Sequence, residues 1–81
     1  DFKITLYPNP FKEKSILNIP ITHIDHVQIN IYDYLGRIQK TYNNVHPPTF
    51  TLKKENLAKG VYILKVFNQN KTIKSLMFEI H

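Results

Sequence analysis

His26-Val27-Gln28-Ile29-Asn30-Ile31-Tyr32-Asp33 decides the fold, because apolar and polar residues alternate in it with a period of two, the pattern of a strand buried on one side. This puts Val27, Ile29 and Ile31 on an inner face and Gln28, Asn30 and Tyr32 on the outer one. Asp33-Tyr34-Leu35-Gly36 follows. A glycine three residues after Asp33 suits a hairpin closed by a type I turn plus a bulge, since glycine takes positive φ without steric cost. Asp33 reads as the turn former, its carboxylate accepting backbone N–H groups. Arg37 to Tyr42 then reads as the return strand, with Ile38 its best core candidate.

Toward the N-terminus, Ile4 and Leu6 alternate with polar neighbours and run into Tyr7-Pro8-Asn9-Pro10, whose prolines cannot donate ladder hydrogen bonds and so end a strand. After Lys12-Glu13-Lys14, Ser15 to Ile19 is strand-like, with Leu17 and Ile19 on one face and Ile16 opposite, until Pro20. Toward the C-terminus, Asn43-Asn44-Val45-His46-Pro47-Pro48 reads as a loop, and Thr49 to Leu52 resumes the alternation with Phe50 and Leu52 together. Leu57 is expected to plug the core. Gly60 opens the most apolar strand, Val61 to Phe67, whose two apolar faces predict a central position. Asn68-Gln69-Asn70-Lys71 makes a turn into a final strand, Thr72 to Ile80. Ile73 is out of phase with Leu76, Phe78 and Ile80, which predicts a bulge near Lys74-Ser75. Seven short strands with turn signals about every ten residues predict an all-β fold, an antiparallel β-sandwich, with a closed barrel as the alternative.

The 81 residues fit one domain, 1–81, of a size that buries about two-thirds of its unfolded surface. With no cysteine there is neither a disulfide framework nor a thiolate zinc site to supplement the core. The longest apolar run, Val61 to Leu64, is far short of the roughly 20 residues of a membrane-spanning helix, so the chain reads as soluble. It opens at Asp1 without an initiator Met or a basic-then-apolar leader, and so reads as a fragment of a longer protein. A net charge of +5 favours anionic partners without selecting one.

No catalytic constellation is legible. His23 and His26 have a spacing that suits a helix face, whereas on strands it sends side chains to opposite sides, so a solvated loop is the better reading than a metal site. His46 and His81 have no carboxylate or nucleophile at motif spacing. Glu13, Asp25, Asp33, Glu55 and Glu79 fall at turns or on polar faces, which disfavours a paired-carboxylate hydrolase. Two glycines cannot build a phosphate-cradling loop. Tyr7, Tyr32, Tyr34, Tyr42 and Tyr62 among lysines could stack on single-stranded nucleic acid, but Lys12, Lys14, Lys53, Lys54 and Lys59 cluster at turns, the ordinary solubilising arrangement. The expectation is a non-enzyme with no cofactor, metal or nucleic-acid partner.

Three stretches in this order and over almost the whole chain, Leu6-Tyr7-Pro8-Asn9-Pro10, then Val27 through Tyr34-Leu35-Gly36-Arg37, then Leu57-Ala58-Lys59-Gly60-Val61-Tyr62-Ile63-Leu64-Lys65-Val66, resemble the C-terminal sorting domain of type IX secretion cargo in Bacteroidetes. The resemblance implies an immunoglobulin-like sandwich at the end of an exported protein, carried through the periplasm to the cell surface or medium. Its partners would be the N-terminal cargo domain of the same polypeptide, the outer-membrane translocation machinery, and a sortase-like cysteine peptidase that commonly removes the domain. The cargo is then released or joined to an anionic lipopolysaccharide.

Position by position, Tyr7, Pro8, Asn9 and Pro10 match the opening motif, Asp33 and Gly36 the central hairpin, and Gly60 and Tyr62 the penultimate-strand motif, all in structural roles. Recognition is expected at the last hairpin with Lys65, Lys71 and Lys74, since a terminal strand is an edge that a receptor can extend. An exposed edge could also pair two copies weakly. Phe11 with Lys12-Glu13-Lys14 replaces the small residues that often follow the opening motif, and Pro-Asn-Pro-Phe also resembles the immunoglobulin-like part of flagellar-hook scaffolding proteins. Leu76-Met77-Phe78-Glu79-Ile80-His81 is more apolar than a typical family end. The second reading is a non-catalytic glycan- or protein-binding sandwich of a secreted surface enzyme.

Overall fold

Alternating apolar side chains give seven strands: β1 (Thr5–Tyr7), β2 (Lys14–Asn18), β3 (Val27–Asp33), β4 (Ile38–Val45), β5 (Thr49–Lys53), β6 (Gly60–Asn68) and β7 (Lys71–Ile80). The computed structural model describes residues 3–81; Asp1 and Phe2, the first positions of the expected 1–81 domain, lie outside the described residues. All named pairs are antiparallel, in a three-stranded sheet ordered β1-β2-β5 and a four-stranded sheet ordered β4-β3-β6-β7. Two open sheets packed face to face in this order make an immunoglobulin-like sandwich, so the barrel alternative falls. β6 lies between β3 and β7, as its two apolar faces require.

Leu17, Ile19 and Leu52 from the smaller sheet and its loops meet Ile29, Ile31, Leu64, Val66 and Phe78 from the larger one in a shared core, each almost completely shielded from solvent. Each such side chain contributes about 1.5–3 kcal/mol on burial. Leu57 drops into this core from the β5–β6 connection, as expected.

Two misplaced residues in the sequence reading have one cause, the β-bulge, and the bulge expected in β7 is present. Ile38 is not a core residue: it is 58% exposed. An extra residue between Ile31↔Lys40 and Tyr32↔Ile38 shifts the phase of β4 and puts Ile38 on the outer face with Tyr32. Val45, read as loop, ends β4 and is buried, because a second register shift after Ile29↔Tyr42, with Asn44 at φ 56°, brings it opposite Val27. In β7 the register slips between Val66↔Lys74 and Phe67↔Thr72, so the extra residue is Ile73 itself, just ahead of the predicted Lys74-Ser75. The slip lets Ile73 pack against the core despite its phase.

Candidate functional site

The motif residues converge at one end of the four-stranded sheet. Asp33, Tyr62 and Phe78 form a single register row across β3, β6 and β7. Asp33 is in phase with the core residues of β3 but stands at the strand end, where its carboxylate organises the hairpin. Oδ1 accepts hydrogen bonds from the Leu35 N–H (2.9 Å) and the Arg37 N–H (3.0 Å), and Oδ2 accepts from Arg37 Nε (2.8 Å) and Gln39 Nε2 (3.1 Å). The Arg37 N–H bond, against an opposing push from burial and with help from the Arg37 guanidinium, holds the carboxyl below its ordinary 3.8. Gly36 closes the turn at φ +87°, its N–H donating to the Asp33 carbonyl at 2.9 Å. The hairpin tip and the Ala58-Lys59-Gly60-Val61 segment line one shallow hollow.

Tyr62 turns its ring inward and its hydroxyl back, donating to the Ala58 carbonyl at 2.6 Å. Phe78 stacks on Tyr62 (centroids 5.4 Å) and on Phe11 (5.7 Å), so one pile of rings joins β6, β7 and the segment after the opening motif. Gly60 enters β6 at φ +147°, a conformation that L side chains resist.

The opening motif holds the last strand. The Asn9 amide donates to the Met77 carbonyl (3.0 Å) and accepts from the Glu79 N–H (3.1 Å). Phe11 continues the pairing in parallel: its N–H donates to the Glu79 carbonyl (3.1 Å) and its carbonyl accepts from the His81 N–H (2.9 Å). Buried Ser15 donates its hydroxyl to the Pro8 carbonyl at 2.6 Å. Tyr7 projects into solvent. Sequence reasoning met Phe11 only as a departure from the family pattern and missed its core and pairing role; its one local signal was a large apolar residue directly after Pro10.

Lys65, Lys71 and Lys74 do not share a face. Lys65 registers with Asn30 and Ser75 on the outer side and sets its Nζ 5.3 Å from the Tyr32 ring centroid. Lys74 registers with core-facing Val66, and Lys71 with Asn68 beside the β6–β7 turn. Elsewhere Lys40 on β4 pairs with Glu55 of the β5–β6 connection, which raises the lysine and lowers the carboxyl from their ordinary values. His23 and His26 are exposed in the loop before β3. Among the described residues no cluster of three or more His, Cys, Asp or Glu could hold a metal, and no buried side-chain nitrogen or oxygen lacks a partner.

This geometry defines an immunoglobulin-like sandwich domain in which the Asn9, Asp33 and Tyr62 side chains fasten strand ends and turns to one another. The family model of the secretion system C-terminal sorting domain matches residues 5–79, and the chain belongs to that family. It carries the type IX sorting signal, by which a protein is translocated across the outer membrane to be secreted or displayed at the cell surface. No curated protein matches the chain. No helix among the described residues is long and apolar enough to cross a membrane.

Proposed function

We propose that residues 1–81 form one sorting domain that delivers a cargo domain of the same polypeptide to the outer-membrane translocation machinery, is read there through its last hairpin with Lys65, Lys71 and Lys74, and is then removed by a sortase-like peptidase. The carrying observation is the use of the motif side chains as fasteners. Both Asp33 oxygens are saturated by donors, Asn9 is spent on β7, and the Tyr62 hydroxyl on Ala58, so what the domain offers a receptor is its surface shape and charge rather than a reactive group. The domain acts as the substrate of export and not as its catalyst.

The test is fusion of this segment to a periplasmic reporter in a type IX-competent cell. The expected result is reporter at the surface or in the medium, with the junction cleaved. A reporter that stays in the periplasm would overturn the reading. Exchanging Lys65, Lys71 and Lys74 for glutamate is expected to reduce export without unfolding the domain.

A further inference from the structure

The outer face of the four-stranded sheet carries an apolar row that the fold does not need. Ile38, Tyr32, Ile63 and Met77 register side by side across β4, β3, β6 and β7, on the side away from the core. Ile38 and Met77, at the two edges, are 58% and 63% exposed, and Val61 beside them is 38% exposed. Single exposed apolar residues are ordinary, and the solvent side of an antiparallel sheet is usually polar. A row that crosses every strand of the sheet is a contiguous patch of the kind that marks an interaction surface.

The adjacent row, Thr41, Asn30, Lys65 and Ser75, places one cation at the centre of this face. Lys65 is held over Tyr32, and among the described residues no carboxylate pairs with it. Beneath it the Gln28 amide donates to Asn30 Oδ1 at 3.1 Å and the Asn30 amide donates to the Tyr32 hydroxyl at 3.0 Å, so these side chains form a connected polar floor.

We propose that this face, which meets the last hairpin at Lys65, is a docking surface by which the domain contacts its receptor in the translocation machinery, and that the receptor presents apolar side chains with at least one carboxylate aimed at Lys65. This rests on the sorting reading above. A second copy is the wrong occupant, because it would bring a chain of +5 against another of the same sign. Four strands about 4.8 Å apart and three outward rows give a face on the order of 400 Å², about half of what a stable interface needs from each partner. That size fits a contact that is made and then released, as hand-off along an export route requires.

The experiment uses the reporter fusion with Ile38→Thr and Met77→Thr together, and Lys65→Glu separately. Threonine keeps strand propensity at exposed positions, so the melting temperature should hold. Export of each variant is expected to fall about tenfold or more. Wild-type export by the folded variants would overturn the docking surface and leave the sorting reading intact; a wild-type fusion that is not exported would overturn the sorting reading itself. A photocrosslinking residue at position 77 of the wild-type fusion provides a readout independent of folding. An adduct with an outer-membrane translocon subunit supports the proposal, and an adduct only with a second copy overturns it.

Discussion

Asn9 and Met77 are hydrogen-bonded side chain to backbone at 3.0 Å although 68 positions separate them in the chain. With its other amide atom taking the Glu79 N–H, Asn9 extends the sheet as a peptide unit would, and Phe11 continues the pairing along Glu79 and His81. Asn9→Ala removes two exposed hydrogen bonds and should cost about 1 kcal/mol in urea unfolding. Asn9→Asp should cost at least as much, since a carboxylate opposes the Met77 carbonyl.

Phe78 is buried between two rings, and its truncation leaves a cavity that neither Phe11 nor Tyr62 can fill. Phe78→Ala is expected to cost about 3–5 kcal/mol, enough to leave so small a domain largely unfolded, whereas Tyr62→Phe, which loses only the bond to Ala58, should cost about 1 kcal/mol. Calorimetry or denaturant titration separates the two.

Asp33 has its folded-state value depressed below 3.8, first by the Arg37 N–H bond. Its contribution is therefore fully present above the unfolded value and is lost as pH falls through the folded one. The urea midpoint of Asp33→Asn should be lower than that of wild type at neutral pH, and the gap should narrow on acidification. Glu55, lowered by Lys40, is common to both proteins and cancels from the difference. A gap that stays constant with pH would contradict this account.

Gly60 and Gly36 both have positive φ, yet a Cβ built on either meets nothing within 4 Å. The cost of a substitution is therefore conformational and not steric. Gly60→Val and Gly36→Val should each lose about 1–2 kcal/mol, with Gly36→Asn milder because asparagine tolerates the left-handed region near +87°.

The inner faces of β2, β3, β5 and β6 were legible because period-two alternation reports burial directly, as at Val27, Ile29 and Ile31. Ile38 and Val45 were misplaced because a bulge inserts one residue without any compositional mark, and every later side chain then changes face. As a check, Ile38→Ala should fall within about 0.5 kcal/mol of wild type, and Val45→Ala should cost more. The family motifs named Asn9, Asp33, Gly36, Gly60 and Tyr62, but which strand the opening motif holds was not written locally. Asn9 and Phe11 are defined by a partner that only tertiary structure supplies. Asn30 likewise has an outward phase, and it is buried by the Tyr32 and Gln28 side chains it bonds.

The pile of Phe11, Phe78 and Tyr62 also sets an order of events during synthesis. A nascent polypeptide still lacking β7 leaves Tyr62 without a stacking partner and Phe11 without its bridge, and contacts spanning so much sequence are the slow ones to close. The sandwich is finished only once β7 has joined Phe11 to Tyr62 through Phe78.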